Sequence, residues 1–280
     1  MLKRTITAVC ALCLFIPVLY FSDTVIFPAA MTILALIAAY EMLNCIGAKK
    51  IYHLAIPSYI LALSPMVPYA ASLSDKIDTF HILTAFTCLY LIYLLTVTIF
   101  AKGTIPFEFI SSVFTTIFYV VVTFTSIVAL RYITNGKYIY LLTFIGPWVS
   151  DTFAYFCGRL FGRHKLIPEV SPKKTVEGSV GGILFTALGF VVYGVIINTV
   201  FDSSVSPAYV SLAVTGAVIS VISQIGDLAA SLIKRNYGIK DYGFVFPGHG
   251  GVLDRFDSVL LTAPVLLIVS SLPYVGNLLV

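Results

Sequence analysis

Apolar residues run along this chain in long continuous blocks instead of alternating with polar ones. Nine such blocks, roughly 5–22, 24–44, 52–72, 79–100, 108–130, 138–157, 179–201, 208–232 and 256–276, are each near the length of about 20 residues that a helix needs to cross a bilayer. The strands of a membrane barrel would be shorter and would alternate. The pattern therefore predicts an all-α polytopic membrane protein with about nine transmembrane helices. Block 52–72 holds Pro57, Pro65 and Pro68, which predict a kink. No soluble domain fits between the blocks, and no internal repeat is present. The first block follows Lys3 and Arg4, lacks a small-x-small cleavage site and is succeeded at once by another, so it reads as a helix.

Composition agrees. Hydrophobic residues make up 59% of the chain and charged ones 11%, with mean hydropathy +0.99, whereas soluble domains are about 25% charged. With the N-terminus placed in the cytoplasm, only Lys76, Arg131 and Lys137 fall outside, which leaves the other 14 of the 17 Lys and Arg inside. Positive charge stays inside, so the N-terminus is expected in the cytoplasm and the C-terminus outside. The net charge of +4 is split among short loops and forms no long basic tract, which argues against a nucleic-acid partner. The five cysteines lie in or beside apolar blocks without metal-ligand spacing and read as packing residues.

Charge is distributed unevenly along the blocks. The front, residues 1–135, reads as scaffold, and its Glu41 and Glu108, near block ends, read as interfacial residues. The back, residues 136–280, holds Asp151, Gln224 and Asp227 inside apolar blocks and reads as the catalytic region, with cytoplasmic loops 158–178 and 233–255. Ionisable residues within a membrane mark functional sites. Ser220, Gln224, Asp227 and Ser231 follow at spacings of four, three and four, which puts them on one helical face. Interhelical hydrogen bonding accounts for Ser and Gln there, but a buried Asp227 needs a cation, either basic side chains or a metal.

The stretch from Ser231 to Ser258 carries most of the chemistry. Asp254 and Asp257 stand three apart at the start of the last block. Two readings stay open for them: helix capping, or, with Asp227, oxygen ligation of Mg²⁺. Gly248, Gly250 and Gly251 would let backbone N–H groups approach an anion, and Lys234, Arg235, Lys240 and Arg255 would bind phosphate oxygens. His249 reads equally as a donor to a phosphate or leaving group and as a plain turn residue. In the other loop, Ser171, Lys173, Lys174 and Thr175 precede a helix opening at Gly178-Ser179 and suggest a further phosphate site. Tyr155 and Arg159, four apart, share a face with Asp151. The residues thus predict a metal-dependent, phosphate-handling site on the cytoplasmic side.

The pattern Ser231-x-x-Lys234-Arg235, Lys240-Asp241-x-Gly243, Phe246-Pro247-x-His249-Gly250-Gly251 and Asp254-Arg255-x-Asp257 resembles the signature of the phosphatidate cytidylyltransferases, or CDP-diacylglycerol synthases. Ser150-Asp151-x-x-Ala154-Tyr155 and Ser171-Pro172-Lys173-Lys174-Thr175-x-Glu177-Gly178 look like that family's other shared segments; the front half matches only as apolar blocks. The resemblance implies transfer of a cytidylyl group from CTP to phosphatidate, with Mg²⁺ and room for a second cation, in the cell (inner) membrane. It implies a catalytic set of Asp227, Lys234, Arg235, Asp254 and Asp257, with Asp227, Asp254 and Asp257 at the metal. Asp151, Ser171, Lys173, Lys174, Thr175, Lys240, Asp241, His249, Gly250, Gly251 and Arg255 would contact substrate. A homodimer is left open. Another CTP-dependent lipid cytidylyltransferase or a lipid kinase is the nearest alternative, and a transporter of an anionic solute the alternative of another class. The Asp-Gly-x-x-Ala-Arg element of the CDP-alcohol phosphotransferases is missing.

Overall fold

The computed structural model describes residues 13–74, 78–246, 248, 250–272 and 278–279. His249, Lys76 and the Lys3-Arg4 pair lie outside the described residues. In chain order the helices are α1 (13–20), α2 Ile26–Cys45, α3 Tyr52–Leu61, α4 Met66–Ser72, α5 Thr79–Phe100, α6 Phe107–Arg131, α7 Gly136–Ile139 and α8 Leu142–Phe161. A hairpin of β1 Lys165–Ile167 and β2 Ser171–Thr175 follows, then α9 Val176–Ile196 with a π-helical turn Ile197–Phe201, α10 Tyr209–Asn236, α11 Leu253–Phe256 and α12 Thr262–Ser271. The protein is thus mostly helical, and the hairpin, paired as Lys165 with Thr175 and Ile167 with Ser171, is the departure from the expected all-α chain.

Six helical stretches among the described residues are long and apolar enough to cross a membrane: Ile26–Cys45, Tyr52–Ser72, Thr79–Phe100, Phe107–Arg131, Val176–Phe201 and Tyr209–Asn236. Three of the nine expected spans differ. The first is described only over 13–20. Expected span 138–157 is α8, a 20-residue helix that carries Asp151 and Arg159 and is not among the six. Expected span 256–276 is interrupted, with α11 ending at Phe256 and the 10-residue α12 starting at Thr262. The kink expected in 52–72 is a turn between α3 and α4, with Pro65 at the start of the second helix.

The chain divides into two compact units, Met1–Tyr132 with Tyr237–Phe256, and Ile133–Asn236 with Asp257–Val280. The first is built on α2 against α6. Ala35, Ala38 and Ala39 on α2 are fully buried, as are Val113, Ile117, Val120 and Phe124 on α6. Lipid tails are as apolar as these side chains, so burial alone does not drive such packing; small residues that admit close backbone approach do.

The second unit is built on α8, α9 and α10. Neutral hydrogen bonds link these three helices. The Ser150 and Ser220 hydroxyls lie 2.8 Å apart, and Gln224 Nε2 donates to the Ser179 carbonyl and to Ser220 Oγ, each at 3.3 Å. Gly216 of α10 sits flush against α9: a Cβ there would meet the Thr186 carbonyl oxygen at 2.8 Å and Ala187 Cα at 3.0 Å. Backbone atoms cannot step aside as a side chain can. Gly216→Ala should therefore cost roughly 1–3 kcal/mol through overpacking, read as a lower thermal midpoint in detergent. Gly189→Ala, whose Cβ would meet only Val149 methyls at 3.5 and 3.8 Å, should leave that midpoint unlowered.

Candidate active site

The polar stripe on α10 resolves into two kinds of residue. Ser220 and Gln224 are buried and bond to neighbouring helices. Asp227, one turn further on, has a cation as its partner: Lys174 of β2 forms an ion pair with its Oδ2. The two side chains retain 24% and 27% of their accessible surface, so the pair stands at the edge of the packed helices and not in their centre. The hairpin explains how Lys174 arrives there. Strand geometry turns neighbouring side chains to different sides, and Lys173 is exposed while Lys174 is half-buried. Thr175 closes the strand as cap of α9, its hydroxyl accepting the Gly178 N–H at 3.2 Å. Ser171, at the far end of the strand, is half-buried.

Two further carboxylates join Asp227. Asp151 of α8 is exposed along its helix, accepts the Ser258 hydroxyl, and lies in electrostatic range of Asp227 and Lys174. Asp257 follows α11 and interacts with the charges of Asp227, Lys234 and Asp151. Gly226 makes room for this segment, since a Cβ on it would sit 2.9 Å from the Asp257 carbonyl oxygen. One unit thus gathers Asp151, Asp227 and Asp257 with Lys174 and Lys234. Lys234 and Arg235 stand in the last turn of α10, where the helix dipole favours cations.

The other signature residues belong to the first unit. Asp254 is buried, and its Oδ2 accepts the Tyr242 N–H at 2.8 Å and the Gly251 N–H at 2.9 Å. The Gly251 amide, expected at a phosphate, is therefore held by a side chain of its own turn. Phe246 N–H donates to the Gly250 carbonyl at 2.9 Å. Lys240, Asp241 and Arg255 are exposed.

Glu41 overturns its interfacial reading. It is 2% exposed, and its two oxygens accept the consecutive Val252 and Leu253 N–H groups, each at 2.9 Å. A Cβ on Gly243 or Gly251 would collide with its carboxylate. An acidic residue inside an apolar block, without a neighbouring cation in the sequence, was the one signal available.

Among the described residues, no three His, Cys, Asp or Glu side chains form a ready-made metal cage. Mg²⁺ does not require one, because it is commonly held through one or two carboxylates with water and phosphate completing its shell. Asp227 and Asp257, oxygen donors in one partly open cluster, fit that mode.

The cytidylyltransferase family profile matches residues 2–272. The chain is 35% identical over 263 residues to the phosphatidate cytidylyltransferase of Staphylococcus haemolyticus (strain JCSC1435), covering 94% of this chain and 96% of that one. It is 36% identical over 266 residues to that of Staphylococcus epidermidis (strain ATCC 35984), and 35% identical over 266 residues to that of Staphylococcus aureus (strain COL), with the same coverage of each.

The Lys174–Asp227 pair should be measurable as a coupling. Lys174→Met and Asp227→Asn should each lower the thermal midpoint in detergent. The double substitution should lower it by less than the sum, with an interaction of about 0.5–3 kcal/mol. Strict additivity would mean that the pair contributes nothing to the fold.

Proposed function

The chain belongs to the cytidylyltransferase family, and from that premise we propose that it is a membrane-embedded phosphatidate cytidylyltransferase. It joins CTP and phosphatidate to give CDP-diacylglycerol and pyrophosphate. A phosphate oxygen of the lipid attacks the α-phosphorus of CTP. The bond from that phosphorus to the bridging oxygen of the β-phosphate breaks, and pyrophosphate leaves with the electron pair.

The observation that carries this reading is the gathering of Asp151, Asp227 and Asp257 with Lys174 and Lys234, all from the half of the chain that bears the signature. Mg²⁺ held by Asp227 and Asp257 would bind phosphate oxygens and offset their charge. Lys234 and Arg235 take triphosphate oxygens at the end of α10, and Lys173, exposed beside Lys174, takes a phosphate of either substrate. Lys174 keeps the Asp227 carboxylate in place. The nucleophile is already an anion, so no side chain need remove a proton from it; alignment and charge neutralisation supply the rate. Lys240, Asp241, His249, Gly250 and Arg255 are assigned to CTP on the signature alone. Asp254, with one oxygen already holding two amides, is assigned to the shape of its turn more than to the metal.

The excess of Lys and Arg on one side supports a cytoplasmic N-terminus and a site open to cytosolic CTP. A homodimer is not required, since one chain supplies every residue named.

Purified protein should release pyrophosphate from CTP only when both phosphatidate and Mg²⁺ are present. Asp257→Asn and Lys234→Ala should each lower kcat/KM at least roughly a hundredfold, about 2.7 kcal/mol of transition-state stabilisation. Release without phosphatidate, or near-normal turnover by both variants, would remove the assignment.

A further inference from the structure

We infer that Glu41 is a positioning residue for the signature loop: from α2 it fixes the backbone at residues 252 and 253 in the shape that serves CTP. This role rests on the cytidylyltransferase reading. Glu41 lies within α2, whose own hydrogen bonds ask nothing of it, and a carboxylate there gives up its hydration. The return lies 211 and 212 residues further along the chain, where Val252 and Leu253 each donate an N–H to one of its oxygens at 2.9 Å. Asp254 holds the same turn from the other side, taking the amides of Gly251 and Tyr242.

Three consecutive N–H groups, those of residues 251, 252 and 253, therefore point at the protein's own carboxylates. A glycine-rich turn with a row of amides is the usual cradle for a phosphate. Here that cradle is filled from within. The turn becomes a rigid support, and contact with CTP falls to its other groups, of which the Arg255 side chain is exposed. Gly243 and Gly251 gain a reason in the same arrangement, because a Cβ on either would occupy the seat of the Glu41 carboxylate. Both bonds are made where water barely reaches, which strengthens them.

The test uses the full chain in detergent with Glu41→Gln, which keeps the volume but places an N–H₂ group where an acceptor is needed, and with Glu41→Asp. Glu41→Gln should speed hydrogen exchange of the Val252 and Leu253 amides and lower kcat/KM for CTP at least roughly tenfold per folded molecule. The KM for phosphatidate should stay within about twofold, and Glu41→Asp should recover part of the loss. A purely structural role would lower the thermal midpoint and the yield of folded protein while leaving both constants per folded molecule unchanged. That outcome, or unchanged exchange at Val252 and Leu253, would overturn the inference. A parent protein inactive with CTP would instead overturn the functional reading on which it rests.

Discussion

A carboxylate among apolar helices must find a cation or hydrogen-bond donors, and several features of this protein follow from that demand. Asp227 finds Lys174, Asp151 finds the Ser258 hydroxyl, Asp254 finds two amides, and Glu41 finds two more. An unpaired buried charge costs several kcal/mol, whereas an exposed pair is worth about 0–1 kcal/mol. The Lys174–Asp227 pair is partly open and lies between these limits. Its main consequence is positional: it draws the β1–β2 hairpin to the side of α10. The loop around Gly251 is likewise tied to α2 by Glu41.

Neutral contacts do the rest of the work of assembly. In lipid, a leucine gains little by leaving the bilayer for another helix, so close packing decides which helices associate. Gly216 seats α10 on α9, and Gly226 admits the Asp257 segment one residue before Asp227. A glycine in a helix costs about 0.5–1 kcal/mol relative to alanine. At these two positions the alternative is a steric collision with backbone, which costs more. On the role proposed for Asp227 and Asp257, function and packing meet within one turn of α10, because the glycine that admits the Asp257 segment adjoins Asp227.

Local pattern was enough for much of this architecture. Block 79–100 became α5 with the same ends, since Asp78 caps it through the Phe80 and His81 amides. The polar stripe on α10 was legible from spacing, and so was the demand of Asp227 for a cation; that Lys174, read as a phosphate ligand, supplies it was not. Three other things were not legible. Asp254 and Asp257, three apart, read as carboxylates at the start of one continuous helix; α11 ends at Phe256, so one falls inside a short helix and the other in the turn beyond it. The hairpin is too short to show a period in the sequence. Glu41 depends on partners 211 and 212 residues away, and no local pattern carries a tertiary contact.

The balance of charges also bears on which kind of catalysis such a site can supply. Two unit charges 4 Å apart repel by about 1 kcal/mol in water and about 4 kcal/mol at the effective dielectric of a protein edge. Bringing a lipid phosphate to a triphosphate involves several such pairs, and each 4 kcal/mol corresponds to roughly a thousandfold in rate. General acid–base catalysis contributes about 10²–10⁴-fold where a proton must move, but an ionised phosphate has none to give up. Charge neutralisation therefore outweighs proton transfer here. A cluster of three carboxylates would by itself worsen that repulsion, so Asp151, Asp227 and Asp257 make chemical sense only as holders of cations. Lys174 is one such cation already in place, and Asp227 and Asp257 are the pair suited to another.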